Sequence, residues 1–195
     1  AGSVFKIFAA AAALEDGMGL NTNLAVPTRA EVEGMGAGGA PGCPPNKYCV
    51  ENAGSYKPNM TLKEALATSP NTPFIEMAEK LGMERITDIA IKLGLRSYKN
   101  EGSFDGENSV EEYVKDNNLG SFVLGPTAVD PLELSNVAAS LADHGRWCEP
   151  TPVLSVKDRN GEDVEMEKVD CEQAIDKKIA DALANGLGSD VQQGT

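Results

Sequence analysis

The sequence predicts an α+β chain in which helices dominate, and three observations support that prediction. An alanine-rich apolar stretch opens the chain, and two capping boxes precede apolar stripes with helical spacing further along. One Asn-Gly pair, Asn160-Gly161, lies between two short apolar segments and predicts a hairpin. Helices therefore outnumber strands, and the strands are too few for a sheet of ordinary size.

Length and charge narrow the class of protein. A chain of 195 residues is long enough for one compact domain with its own core. The net charge of -13 argues against nucleic acids and anionic membrane surfaces as partners, because both require clustered Lys and Arg. The longest apolar run, residues 7–14, is too short to span a bilayer. The whole acidic excess lies in residues 101–195, where we expect a solvated face.

The first predicted element is a largely buried helix from Ser3 to Leu14. Its residues are small or apolar apart from Lys6, and alanine is the strongest helix former. Ser3 then lies in its first turn. Residues 17–60 contain eight glycines and five prolines in 44 positions without a sustained period, which predicts a long irregular excursion.

Two helices separated by a tight turn are predicted next. Thr61-Leu62-Lys63-Glu64 matches a capping box, in which hydroxyl and carboxylate satisfy each other's unpaired backbone donors. Pro70 ends this first helix. Thr72-Pro73 is typical of an N-cap and first helical residue, and the second helix should end at Gly82. Residues 69–71 are therefore expected to be pinned between the two helices.

The remaining elements alternate between helix and loop. We predict a helix from Glu84 to Leu93, then a polar loop over residues 97–120 with a short helix near residues 110–114. Asp130-Pro131-Leu132-Glu133 combines a second capping box with proline at the first helical position, and its helix should run to Gly145.

The last part of the chain predicts a strand pair and one more helix. Residues 151–156 and 164–169 flank the Asn-Gly pair and are predicted as strands. A final amphipathic helix is predicted over about residues 173–185, with Ile175, Ile179, Ala182 and Leu183 facing inward.

Ser3 and Lys6 form an S-x-x-K tetrad, which is the first chemistry-bearing motif. On a helix this spacing places the hydroxyl and the ammonium on one face, within contact range. A serine hydroxyl is a weak nucleophile at neutral pH, and a partly desolvated lysine with a lowered pKa is able to accept its proton. Free backbone N–H groups of the first turn also stabilise developing negative charge. The alternative is a purely structural role, with a capping serine beside a lysine that reaches to solvent.

Ser69-Pro70-Asn71 is an S-x-N triad in the pinned turn. Its bland alternative is ordinary turn chemistry, with serine as the helix C-terminal residue and asparagine as an N-cap. Neither motif is specific alone; their order and the surrounding sequence are what carry information.

In this combination the sequence resembles the transpeptidase domain of penicillin-binding proteins, a family of penicillin-recognising acyl-serine transferases. The likeness covers nearly the whole chain. The segments that carry it are Gly2-Ser3-Val4-Phe5-Lys6, Thr61-Leu62-Lys63-Glu64-Ala65-Leu66, Ser69-Pro70-Asn71-Thr72, Leu124-Gly125, Val129-Asp130-Pro131-Leu132-Glu133-Leu134, Ala142 to Gly145, and Pro150-Thr151-Pro152. The sequence around Tyr48 to Asn52 and Lys57 to Thr61 is more similar to the bifunctional class A members than to the monofunctional ones. Class A members carry a membrane anchor and a glycosyltransferase domain.

The resemblance implies a β-lactamase/transpeptidase-like fold, in which a helical subdomain packs on an antiparallel sheet. It implies that Ser3 is the acylated nucleophile and Lys6 the base that activates it. Ser69 would relay a proton to the leaving amine, and Asn71 would hydrogen-bond the substrate carbonyl and Lys6. The implied reaction is D,D-transpeptidation: a D-Ala-D-Ala stem peptide of peptidoglycan acylates Ser3, D-Ala leaves, and the amine of a neighbouring stem attacks. A β-lactam would mimic the donor and stay attached.

Two departures from the family pattern set the expected domain limits. The family's third motif, Lys-Thr-Gly or Lys-Ser-Gly, is missing from this sequence, as is the region before the nucleophile that holds the family's first strands. Residues 1–195 are therefore expected to be the central part of one transpeptidase domain. We expect this piece alone to be poorly active or inactive.

The resemblance also implies an extracytoplasmic location at the cell envelope, where disulfides are permitted. Four cysteines allow three pairings, of which Cys43–Cys49 and Cys148–Cys171 are favoured because the second would close across the predicted hairpin. A zinc site is disfavoured, since no C-x-x-C spacing exists and only His144 would add a nitrogen. His144 is instead expected to complement a helix C-terminus. Neither a metal nor a cofactor is expected.

Two alternatives share the same serine chemistry. A serine β-lactamase would hydrolyse its acyl-enzyme quickly, whereas a β-lactam sensor domain would use acylation as a signal. A glycosyltransferase domain in the intact protein would favour the synthase, and a polytopic membrane region would favour the sensor.

Overall fold

The computed structural model describes residues 2–166 and 169–194, and it is an α+β arrangement in which helices surround one buried helix. The α-helices of these ranges are α1 Lys6–Glu15, α2 Leu62–Thr68, α3 Thr72–Leu81, α4 Met83–Leu93, α5 Val110–Asp116, α6 Pro131–Ala142, α7 Lys177–Leu187 and α8 Asp190–Gln193. The strands are β1 Asn23–Ala25, β2 Arg29–Glu33, β3 Gly38–Gly39, β4 Lys47–Glu51, β5 Asn59–Thr61, β6 Arg146–Trp147, β7 Val156–Lys157, β8 Asp163–Val164 and β9 Glu172–Gln173. Three 3-10 turns cover Ser3–Phe5, Arg96–Lys99 and Gly120–Leu124.

Helix α1 is the centre of the core. All its residues from Lys6 to Leu14 are buried, and it packs against α2, α3, α4 and α7. Five consecutive alanines make this possible, because small side chains allow several helices to approach one axis closely. The predicted buried helix is confirmed, with Ser3 in a 3-10 turn immediately before α1.

The prediction of an irregular excursion over residues 17–60 is wrong. Five short strands lie there, and β2 pairs antiparallel with β4 while β3 adds to β4 in parallel. Strand β2 does alternate, because Ala30 and Val32 are buried and their neighbours face outward. The alternation is only five residues long and sits among glycines and prolines, and its partner strand is distant in sequence. A local pattern therefore could not reveal it.

The turn between α2 and α3 forms as predicted, with a shift of one residue. Thr61 and Glu64 form a reciprocal capping box at α2, and Ser69 ends that helix in the left-handed conformation. Helix α3 begins at Thr72 with Asn71, not Thr72, at the N-cap position, and it ends at Gly82. Proline is tolerated near the helix start because its missing N–H has no partner there.

The capping box predicted at α6 is only half formed. Asp130 accepts hydrogen bonds from the backbone N–H groups of Leu132 and Glu133, and Pro131 is the first helical residue, as predicted. The Glu133 carboxylate instead accepts from the backbone N–H and hydroxyl of Ser97, at 2.7 Å each. A tertiary partner with two donors replaces the single local N–H, so this side chain joins α6 to the turn after α4.

The last third of the chain differs from the prediction in its strands. The hairpin around Asn160-Gly161 forms, but β7 and β8 are only two residues each, and the predicted strand 164–169 includes residues 167 and 168, which lie outside the described residues. Where the last helix was expected to begin, strand β9 pairs with β6. Helix α7 starts later, at Lys177, because Asp176 caps it. Its buried residues include Ala180 and Leu183, whereas Ile175 is buried before the helix and Ile179 and Ala182 are partly buried.

Both favoured disulfides are present. Cys43 and Cys49 are bonded, with their Cα atoms 5.7 Å apart, and Cys148 and Cys171 are bonded with their Cα atoms 4.3 Å apart. The second joins the residues next to β6 and β9, so it closes a strand pair other than the Asn-Gly hairpin. His144 does lie just beyond the C-terminus of α6, and its ring Nδ1 lies 2.5 Å from the Asp181 carboxylate of α7.

Within ranges 2–166 and 169–194, no helix is long and apolar enough to cross a membrane. The same residues contain no group of His, Cys, Asp and Glu side chains placed to hold a metal ion.

Candidate active site

Ser3 lies exposed at the edge of a cleft, in the 3-10 turn that leads into α1. Phe5, the last residue of this turn, is fully buried and anchors the turn in the core. The Phe5 ring packs edge to face on Phe8 and Phe122, with centroids 5.3 and 5.2 Å away. Such aromatic packing fixes the start of α1 against the rest of the core. The hydroxyl therefore sits on a rigid element while remaining accessible.

A contact between two glycines fixes the backbone just before Ser3. Gly2 has φ 78° and ψ -156°, a conformation open essentially to glycine alone, and its N–H donates to the carbonyl of Gly125 at 2.8 Å. Gly125 itself has φ 71°, and a Cβ there would lie 2.0 Å from the Gly2 carbonyl oxygen. No side chain fits between these two backbones. The Leu124-Gly125 pair therefore has a physical role: its glycine allows the backbone to approach Gly2.

Lys6 is the best-connected polar group of the site. Its side chain is only 2% exposed. The Nζ atom lies 2.7 Å from the Ser69 carbonyl oxygen, 2.9 Å from Ser69 Oγ, 2.9 Å from Asn71 Oδ1 and 3.2 Å from Ser3 Oγ. Burial lowers the pKa of Lys6 from 10.5 to about 8, because desolvation disfavours the ammonium form. All four acceptors are neutral, so none offsets that penalty with a full charge.

The turn between α2 and α3 delivers the other two predicted residues. Ser69 has φ 59° and ψ 40°, a left-handed conformation that costs a serine about 1–3 kcal/mol and recurs at functional sites. This geometry aims both the hydroxyl and the carbonyl of Ser69 at Lys6. Asn71 faces the same amine with its Oδ1, and its Nδ2 donates to the Glu51 carbonyl at 3.0 Å.

The structure thus brings together all four residues singled out by the two motifs. The positions of these residues fit both the catalytic and the purely structural interpretation, since Ser69 does end a helix and Asn71 does occupy an N-cap position. They differ in what the side chains do. Asn71 makes no capping hydrogen bond to α3, and Lys6 points inward to three polar residues instead of reaching solvent.

A cleft of about 700 Å³ opens beside these residues. Its lining includes Ser3, Lys6 and Ser69 together with apolar side chains, several of them from α6, such as Leu134 and Ala138. A few polar groups among mainly apolar side chains are typical of a site that binds an organic substrate.

Two residues near the site were missed by the sequence analysis. Asp190 of α8 lines the cleft, and burial raises the pKa of its carboxyl. Asn52 follows β4 and accepts hydrogen bonds from the backbone of Asn71 and Thr72. Nothing local to either residue signals these contacts, because each depends on an element far away in sequence.

Comparison with known proteins places these features in a family. A family model described as the penicillin binding protein transpeptidase domain matches residues 1–195. Penicillin-binding protein 1A of Aquifex aeolicus is 28% identical over 137 residues, which is 70% of this chain and 16% of that protein. The peptidoglycan D,D-transpeptidase PbpA of Mycolicibacterium smegmatis is 30% identical over 164 residues, 80% of this chain and 31% of that protein.

A solved structure extends the likeness to three dimensions. The PonA1 protein from Mycobacterium tuberculosis, in complex with penicillin V, matches with a TM-score of 0.71 and 25% identity. The match covers 95% of this chain and 46% of that one, so the chain spans less than half of the proteins it resembles. The expected β-lactamase/transpeptidase fold is confirmed. The chain belongs to the family of penicillin-binding protein transpeptidase domains.

Proposed function

We propose that the protein containing this chain is a peptidoglycan D,D-transpeptidase in which Ser3 is acylated by D-Ala-D-Ala stem peptides and by β-lactams. The single observation that carries this proposal is the position of the Lys6 amine, within 3.2 Å of Ser3, Ser69 and Asn71 together. A nucleophile, a buried amine and a second hydroxyl in mutual contact are the parts that acyl transfer needs.

The first step is attack of Ser3 Oγ on the carbonyl of the penultimate D-Ala. Neutral Lys6 takes the hydroxyl proton, and its lowered pKa makes the neutral amine available near physiological pH. The backbone N–H groups at the start of the first turn stabilise negative charge on the carbonyl oxygen. The C–N bond to the terminal D-Ala then breaks as the Ser3 ester forms.

The proton must next reach the departing amine. Ser69 Oγ lies 2.9 Å from Lys6 Nζ, so it relays the proton from the lysine to the nitrogen of the leaving D-Ala. The Asn71 amide holds the Lys6 amine in place and hydrogen-bonds the substrate carbonyl. In the second half of the reaction, an amine of a neighbouring stem peptide attacks the Ser3 ester. The proton released by that amine returns to Ser3 through Ser69 and Lys6.

The role of the whole chain is part of the same proposal. Residues 1–195 form the central part of a transpeptidase domain, and on their own they have little or no activity, because the third motif is expected to supply a cation and an oxyanion donor. Two relatives named above carry the names of a penicillin-binding protein 1A and a D,D-transpeptidase. We place the domain in a class A protein with a membrane anchor and a glycosyltransferase domain, on the outer face of the cytoplasmic membrane, where the two disulfides are stable.

Fluorescent penicillin labelling of the full-length protein tests this proposal. Ser3→Ala should abolish labelling, and the Ser103→Ala variant, whose serine lies outside the cleft, should label like the wild type. The label should also persist for many minutes on the wild type. Labelling that survives in Ser3→Ala would overturn the assignment of the nucleophile, and rapid loss of the label would favour a β-lactamase.

A further inference from the structure

Asn71 occupies the N-cap position of α3 without capping it. An asparagine there ordinarily turns its side chain to the backbone N–H groups of the first helical turn. In this chain the side chain faces away, with Oδ1 on Lys6 and Nδ2 on the Glu51 carbonyl. The first N–H groups of a helix need acceptors, so another group must supply them.

Asn52 supplies that acceptor from outside the helix. Its Oδ1 accepts from the N–H of Asn71 at 2.7 Å and from the N–H of Thr72 at 3.1 Å. Its Nδ2 donates to the Pro27 carbonyl at 2.9 Å and lies 3.1 Å from the Thr72 hydroxyl. Pro73, the next residue, has no N–H at all. The start of α3 is thus satisfied largely without the Asn71 side chain.

The same strand end also fixes the orientation of the Asn71 amide. Glu51, the last residue of β4, presents its carbonyl to Asn71 Nδ2, and a carbonyl accepts only from the nitrogen side of an amide. Asn71 Oδ1 must therefore face Lys6. Strand β4 is held in register by β2, where Arg29 opposes Glu51 and binds its carboxylate at 2.9 Å.

We propose that Asn52 is a positioning residue for acylation: it caps α3 in place of Asn71 and leaves the Asn71 amide to hold Lys6. The inference rests on the proposed function, because it assigns a consequence to the Asn71–Lys6 contact. Asn52 lies behind Asn71 and acts only through it.

Removing the acceptor should displace Asn71 and slow acylation. In the full-length protein, Asn52→Ala should lower the second-order rate constant for penicillin acylation on the order of 10- to 100-fold, since a misplacement of about 1 Å at a reacting centre has that effect. Asn52→Asp keeps an oxygen for the two N–H groups and should recover most of the rate. A crystal structure of Asn52→Ala should show the contact between Asn71 Oδ1 and Lys6 Nζ broken.

Ser109→Ala is the matched control for lost stability. It removes the buried hydroxyl that caps α5 by accepting from the Glu112 N–H at 3.1 Å, and Ser109 neither lines the cleft nor contacts Asn52. It should lower the melting temperature while the rate constant stays within about threefold of the wild type. Rate constants are used because they do not depend on the folded fraction.

The outcomes separate the two proposals. If wild-type protein is labelled at Ser3 and Asn52→Ala acylates at the wild-type rate, or Ser109→Ala slows as much as Asn52→Ala, the positioning role is overturned. An Asn52→Ala structure with the Lys6 contact intact would overturn it too. If wild-type protein is not labelled at all, the proposed function fails, and the crystal structure still decides whether Asn52 positions Asn71.

Discussion

The cluster around Lys6, formed with Ser3, Ser69 and Asn71, and the β7–β8 hairpin use the same residue types in opposite ways. Lys6 is 2% exposed and its hydrogen-bond acceptors are neutral oxygens, whereas Lys157 in the hairpin is an exposed amine paired with the Asp163 carboxylate at 3.0 Å. Apolar side chains differ likewise: Phe5 is fully buried, but Leu154 is 93% exposed. The two amines therefore differ in their surroundings, and desolvation lowers the pKa of Lys6, as its proposed role of base requires.

The charge distribution follows the same division. The acidic excess lies in residues 101–195, and most of that region's acidic side chains are exposed. The first hundred residues have equal numbers of acidic and basic side chains and contain all four proposed catalytic residues. We expect acylation to depend on the cluster around Lys6 and not on the hairpin, and substitutions in the two regions test this.

Replacing the two lysines should separate the regions most sharply. Lys6→Met removes the proposed base and should slow penicillin acylation by about 10²–10⁴-fold, the usual contribution of general acid–base catalysis. Lys157→Met should leave the rate unchanged, because its ion pair is exposed. The measurement is the acylation rate constant of the full-length protein with fluorescent penicillin. Equal rates for Lys6→Met and the wild type would remove Lys6 from the mechanism.

Glycine substitutions test the backbone that holds Ser3. Gly125→Ala places a Cβ 2.0 Å from the Gly2 carbonyl oxygen, so the chain before Ser3 must move, and acylation should fall on the order of 10²-fold. Gly161→Ala is the matched control, since Gly161 has a similar φ of 84° but open space around its Cα. It should carry the backbone strain without the rate loss. Similar rate losses in both variants would show that the close approach to Gly2 is not what matters.

The pH dependence tests the state of Lys6. Its folded pKa of about 8 means that the amine is mainly protonated below pH 8 and neutral above it. A reaction that needs the neutral amine should therefore speed up with rising pH, by about tenfold between pH 7 and 9. The acylation rate constant, measured across this pH range, tests the expected rise. The same profile for Asp190→Asn tests whether the carboxyl of Asp190, which also lines the cleft, contributes to the pH dependence. A flat profile would contradict the role of Lys6 as base.

The two disulfides divide stability from function. From loop length alone, losing Cys148–Cys171, with a sequence separation of 23, should cost about 3 kcal/mol of unfolding free energy, and losing Cys43–Cys49, with a separation of 6, about 2 kcal/mol. We expect acylation to slow, by a few fold, only when Cys43–Cys49 is removed. Cys49 lies on β4, and this strand leads directly to Glu51 and Asn52. Denaturant melts and acylation rates of the paired Cys→Ala variants test this. A slower rate in the Cys148–Cys171 variant would contradict it.

Local signals predicted most of the helical frame. The alanine run, the capping box at Thr61, the prolines at helix starts and Gly82 all act within one or two turns, so their effects are encoded in neighbouring residues. Three of the failures share one cause. Each depends on partners far away in sequence: the short strands of residues 17–60, the contact of the Glu133 carboxylate with Ser97, and strand β9.

The sequence by itself determined the parts of the site: a serine and a lysine three residues apart at the start of a buried helix, and a serine and an asparagine in a pinned turn. Only the tertiary structure decided that the two parts meet. Ser69 and Asn71 reach Lys6 across more than 60 residues of chain, and Gly125 and Asn52 support them from two other segments. Neighbouring residues fix backbone conformation, but contacts between segments arise only when packing of the whole core fixes their distance, so no local pattern specifies them.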